Sequence, residues 1–134
     1  MTADTASEAE QKSGLIAAMK QGLESAGAEV EAMGVLQGTS GANHTFDLIA
    51  TRAGKRVPID VRLARTRQLE LGAVLETYAK SLDSNARPAV IVTMPGASSD
   101  ARKSASAFGV VLIEGSSTTQ VVERLSLALR RILS

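Results

Sequence analysis

Apolar residues recur along this chain at two periods, and the change from one to the other marks its elements. Leu15, Ile16, Met19 and Leu23 fall at helical spacing, which predicts a first helix that Gly27 stops. Ser7 and Glu10 match the S-x-x-E capping pattern for its start, so residues 1–6 are expected to be a flexible N-terminus. From Ala28 to Gln37 the pattern alternates loosely through Val30, Ala32 and Val35, which predicts a strand, and Gly38-Thr39-Ser40-Gly41-Ala42-Asn43 reads as a loop. Lys55–Leu63 then keeps a period of two, with Val57, Ile59, Val61 and Leu63 on one face and Arg56, Pro58, Asp60 and Arg62 on the other. Together with Thr45–Arg52 it predicts a β-hairpin turning at Ala53-Gly54.

Helical spacing returns over Gln68–Leu82, where Leu71, Val74, Leu75, Tyr78 and Leu82 form a stripe behind Thr66 as a cap. Asn85-Ala86-Arg87-Pro88 breaks it. Ala89–Met94 is a near-continuous apolar run, as a strand covered on both faces requires. An alanine-rich helix within Ser99–Phe108, a buried strand over Val110–Ile113 and a last helix over Thr119–Leu133 follow. The order is α-β-β-β-α-β-α-β-α. An antiparallel meander extended by parallel strands through right-handed crossovers gives an α/β fold of three layers, one mixed sheet with helices on both faces. Residues 7–134 form a single domain, long enough to bury a core without disulfides.

Composition narrows the function. The absence of cysteine fits a reducing cytoplasm. No apolar run of about 18 residues exists, and Met1–Ser13 is polar, so a soluble cytoplasmic protein with no membrane partner is expected. Phe46, Tyr78 and Phe108 are the whole aromatic complement, too few for a binder that stacks single-stranded bases. Neither G-x-G-x-x-G nor G-x-x-x-x-G-K-[ST] is present, and there is no G-x-S-x-G elbow.

Charge is uneven. Arg52, Lys55, Arg56, Arg62, Arg65 and Arg67 are six bases in a segment whose only acid is Asp60, a net +5. The remainder, with nine bases and thirteen acids, carries −4. Such a segment suits a nucleic-acid backbone, or it is a solvated edge that arginine guards against sheet-to-sheet pairing.

A hairpin symmetric about Ala53-Gly54 sets Asp47 directly opposite Asp60. Like charges so placed destabilise a ladder and need a shared proton, a divalent cation or the surrounding arginines as offset. Arg62, two residues from Asp60, emerges on the same face. Two carboxylates beside a cation are what metal-assisted phosphodiester hydrolysis requires.

The element order, with Asp47 on one core strand and Asp60-Val61-Arg62 on the next, resembles the restriction-endonuclease-like PD-(D/E)XK superfamily over roughly residues 10–113. The stretch Gly38-Thr39-Ser40-Gly41-Ala42-Asn43-His44-Thr45-Phe46-Asp47 is similar to small restriction-type and stand-alone members that act on DNA. The resemblance implies a magnesium-dependent endonuclease with Asp47 and Asp60 as metal ligands and Arg62 in the place of the catalytic lysine. An acid from the first helix, Glu10 or Glu24, often joins such sites. Arginine keeps the charge and binds phosphate, but it is never deprotonated. The alternative on the same fold is a non-catalytic nucleic-acid-binding or assembly module. In both, Arg52, Lys55, Arg56, Arg65 and Arg67 are the expected nucleic-acid contacts.

Other residues carry less. His44, the only histidine, shares the parity of Phe46 and Leu48 and is expected to face away from Asp47. Ser40 between Gly38 and Gly41 reads as a nest for an anion or as a glycine-dependent turn. Glu70, Glu76, Tyr78 and Lys80 lie on the helix that would pack near the site. The last helix, with Val121, Leu125 and Leu129 beside Arg130 and Arg131, either covers the sheet or packs on a copy of itself as a homodimer.

Overall fold

The computed structural model describes residues 2–63 and 68–134, with side chains from residue 9 onward. Its elements are α1 (Thr2–Ser25), β1 (Glu29–Gln37), β2 (Asn43–Arg52), β3 (Lys55–Leu63), α2 (Leu71–Asp83), β4 (Val90–Met94), α3 (Ser99–Phe108), β5 (Val111–Glu114) and α4 (Thr118–Ile132). This is the order that the periodicity predicts. The sheet runs β1-β2-β3-β4-β5, antiparallel from β1 to β3 and parallel from β3 to β5.

Each face carries two helices. Leu15, Met19 and Leu23 of α1 and Val121, Leu125 and Leu129 of α4 pack on Val57, Ile59 and Val61. On the other side Val74 of α2 and Ala101 and Ala105 of α3 cover Ile91 and Val110. Each fully buried Leu, Val or Ile side chain contributes about 1.5–3 kcal/mol, so the α1/α4 face holds most of the hydrophobic stabilisation. The stripe of α4 is thereby used within its own chain, which removes it as a dimer surface.

Three helix starts differ from the periodic pattern. α1 already includes Ser7, so the capping pattern there is not its beginning, and its turns begin at Thr2. α2 starts at Leu71 with Glu70 as a cap that makes no side-chain bond, while Leu69 bridges Ala97 instead. The expected cap Thr66 lies outside the described residues. In α4, Ser117 accepts from Gln120 N–H at 3.2 Å, satisfying one of the orphan donors of the first turn.

The buried side of α2 also differs. Val74, Thr77 and Ser81 are buried, whereas Leu75 and Leu82 are 42% and 48% exposed. Polar groups take the inner face because each finds a partner there. Thr77 bonds Asp60, and Ser81 donates to the Ala86 carbonyl.

One irregularity positions the functional region. In β1 and β2, Val30, Leu48 and Ala50 face α1, but Leu36 and Phe46 share the opposite face with Ile49. Both strands therefore turn over between Ala32 and Gly34 and between Phe46 and Leu48. Met33, in the left-handed region at φ 52°, and Asp47 are absent from the β1–β2 ladder. Gly34 is needed beside them, since a Cβ there would stand 2.4 Å from Ile49 Cδ1.

Candidate functional site

The hairpin turns symmetrically at Ala53-Gly54, with Leu48 opposite Ile59 and Arg52 opposite Lys55. Regular pairing ends at Leu48. Where a backbone carbonyl of β2 would continue the ladder, the Asp47 carboxylate accepts from Val61 N–H at 2.7 Å. The two aspartates thus do not meet as a ladder pair. They line one open cleft of about 260 Å³ with Lys12, Phe46, Arg62 and Lys80.

Lysines supply the offset that two neighbouring carboxylates require. Asp60, buried in the sheet, accepts from Thr77 Oγ1 at 2.7 Å and from Lys80 Nζ at 3.0 Å. Lys80 also donates to Thr45 O at 2.9 Å and lies 4.5 Å from the centre of the Phe46 ring. Lys12 of α1 is 3.4 Å from Asp47. Arg62 lines the cleft but pairs with Glu76 at 3.4 Å rather than with either aspartate. Three acids and three bases balance among the described residues of this region.

Among its described residues helix α1 contributes Lys12 and no carboxylate to the lining. Glu24 pairs with Lys20 at 3.1 Å, and Glu10 is exposed. Among the described residues no three His, Asp or Glu side chains gather as a metal cluster. Magnesium takes one or two carboxylates and completes its shell with water and phosphate oxygens, and Asp47 and Asp60 are the carboxylates of the cleft that would hold such an ion.

The glycine loop before β2 is closed by an internal anion. Asp83, at the end of α2, accepts from Ser40 N–H at 3.0 Å and Ser40 Oγ at 2.7 Å, and His44 Nε2 is 2.7 Å from its Oδ2. These bonds, His44 first and Ser40 next, hold the Asp83 carboxyl down at about 2. A Cβ on Gly38 would stand 1.8 Å from that carboxylate. The carboxylate lies between Ser40 and His44, so these residues form a clasp instead of a nucleophile and its base. His44 does share the face of Phe46, but not that of Leu48, because the strand turns over between them.

The basic residues of the hairpin separate. Arg62 is in the cleft. Arg52, Lys55 and Arg56 sit at the turn, where Arg56 and Lys55 are four and five residues, or about 13 to 17 Å, along β3 from Asp60 and Arg52 faces Lys55. Arg65 and Arg67 lie outside the described residues. Tyr78 stacks on Phe108 with ring centres 4.8 Å apart, away from the cleft lining, and Glu70 only precedes α2. Lys80 and Lys12 are the cations that sequence periodicity does not single out as site residues. The signal for Lys80 is its place one turn after Thr77 on the inner face of α2.

No family model matches the chain, and no curated protein does. Solved structures share its fold, among them two proteins. A protein of unknown function, AF1548, is 24% identical with a TM-score of 0.67 over 81% of this chain and 64% of that one. Protein VC1899 from Vibrio cholerae is 15% identical with a TM-score of 0.60 over 89% of this chain and 32% of that one. The chain thus spans less than two thirds of either. Among the described residues no helix is long and apolar enough to cross a membrane.

Proposed function

We propose that this chain is a restriction-endonuclease-like domain that binds DNA and hydrolyses phosphodiester bonds with magnesium. The observation that carries the reading is the convergence of Asp47, Asp60 and Lys80 on one open cleft, with Lys80 Nζ 3.0 Å from Asp60. The resemblance in element order around Asp47 and Asp60-Val61-Arg62 supports it.

Asp47 and Asp60 would hold the ion, which when bound supplies Lewis-acid activation of the phosphate and of water. Lys80 presents the ammonium that Arg62 cannot replace, held in place by Asp60, Thr45 and Phe46. Arg62, whose Glu76 partner is 60% exposed, is free to exchange that carboxylate for a phosphate oxygen. Thr77 fixes the Asp60 carboxylate by a hydrogen bond from the opposite layer.

A second reading keeps the fold and drops cleavage. It is favoured by the lysine already on each aspartate, which leaves the cleft neutral without an added cation. Plasmid nicking separates the two. The first reading expects nicking that needs Mg²⁺ or Mn²⁺ and is abolished in Asp60→Asn and in Lys80→Met. Wild-type protein that binds duplex DNA but leaves it intact with both ions establishes the second.

A further inference from the structure

Ten of the thirteen described cations fall into two groups, with Arg87, Lys103 and Arg124 lying elsewhere. Those lining the cleft are paired, Lys12 with Asp47, Arg62 with Glu76 and Lys80 with Asp60, and elsewhere Lys20 holds Glu24 and Arg102 holds Glu114. Five others gather at the opposite end of the hairpin. Arg52 and Lys55 are the last ladder pair before the turn, and Arg56 follows on β3, where alternation sets it on the sheet face opposite Lys55 and Val57. Lys55 Nζ donates to Ile132 O at 2.9 Å, fastening the turn to the end of α4. Arg52 and Arg130 line the same shallow hollow there, and Arg131 is next in α4. All five are exposed, and none forms an ion pair with a carboxylate among the described residues.

Folding does not account for this corner. The helix dipole favours Arg130, Arg131 and the Lys55 contact at the C-terminus of α4, but it leaves Arg52 and Arg56 unexplained. Guarding a sheet edge is no reason either, because β2 and β3 are interior strands between β1 and β4. Arg52 facing Lys55 is itself an unfavourable like-charge pair. Glu29, whose partner in the ladder is Thr51, brings one acid near this group.

We propose that this corner, built from the hairpin turn and the last turn of α4, is a docking surface for the phosphate backbone of duplex DNA. Four of its five cations are arginines, whose planar fork matches phosphate. The group spreads over the ends of β2, β3 and α4, with Arg52 and Arg130 at a hollow between them, which suits a periodic polyanion more than a single small anion. Single strands need stacking platforms, and the three aromatics lie elsewhere: Phe46 is buried and Tyr78 stacks on Phe108. A protein partner would need an aromatic or prominent apolar anchor at the centre, whereas the leucines that line the hollow, Leu23, Leu129 and Leu133, are themselves buried. The proposal rests on the reading of the chain as DNA-binding, but not on cleavage.

The test is binding of a short duplex without divalent ions, followed by fluorescence anisotropy between about 50 and 200 mM salt. Wild type is compared with a triple variant, Arg56→Ala, Arg130→Ala and Arg131→Ala, which spares Lys55 and its bond to α4. Loss of each phosphate contact flattens the slope of log K against log salt by about 0.9, so the triple variant is expected to lose up to about 2.7 of it and at least tenfold in affinity. Lysine at the same three positions should keep the slope. A triple variant that binds like wild type overturns the proposal, as does a wild type that binds only an acidic protein or no duplex at all. Wild type that binds through these residues without nicking plasmid leaves the corner standing and removes cleavage alone.

Discussion

Lys80 Nζ stands 3.0 Å from Asp60 Oδ2, joining helix α2 to the interior of the sheet through the one buried carboxylate among the described residues. The same ammonium reaches Thr45 O, so a single side chain ties α2 to two neighbouring strands. Replacing Lys80 with Met leaves Asp60 buried without its cation and should cost about 3 kcal/mol in urea unfolding. Adding Asp60→Asn should recover more than half of that loss. A Lys80→Met protein as stable as wild type would show that Thr77 alone suffices for Asp60.

Asp47 acts as a piece of backbone. Its carboxylate satisfies Val61 N–H at 2.7 Å where β2 leaves the ladder. Asp47→Ala orphans that donor and is expected to cost about 1–3 kcal/mol. Asp47→Asn keeps an acceptor oxygen and should cost clearly less. Equal losses in the two variants would argue against the hydrogen bond.

The Asp83 clasp has a defined pH window. Its carboxyl is depressed from 3.8 to about 2 in the folded chain by His44 and Ser40. A depressed carboxyl adds stability that is fully present above about pH 4 and is lost as pH falls towards 2. Wild type should therefore exceed Asp83→Asn in chemical denaturation by a constant margin above pH 4, and the margin should close on acidification. A margin that widens in acid contradicts the clasp.

Helix α4 offers a contrast between neighbouring leucines. Leu125 is fully buried and Leu127 is 57% exposed. Leu125→Ala should lose about 2–5 kcal/mol, and Leu127→Ala should remain within about 0.5 kcal/mol of wild type. Comparable losses at both positions would mean that the outer face of α4 is also covered.

The sequence carried the element order and the hairpin register because each depends on local period. Val57, Ile59 and Val61 alternate without interruption, and Ala53-Gly54 supplies the positive φ angles that the turn uses. What it concealed depends on partners distant in the chain. Thr77 and Ser81 read as the polar side of α2, yet they face inwards because Asp60 and the Ala86 carbonyl wait there. Met33 and Asp47 carry no pattern of their own, so the turning over of β1 and β2 is invisible to parity, and His44 is assigned with Leu48 as a result. Of the two lysines of the cleft, Lys80 was legible only as one of several residues on the helix expected near the site, and Lys12 was hidden, since it lies some 35 positions before its aspartate, a separation no periodicity spans.

The bend at Met33 also bears on how this protein coexists with other copies of itself. Strand β1 is an outer strand, and nine residues of continuous edge would present a template to any extended chain. A left-handed residue at its middle redirects the peptide groups on either side, so a straight incoming strand cannot match both halves in one register. The irregularity that brings Asp47 against Val61 thus also interrupts the register that strand addition at this rim would need.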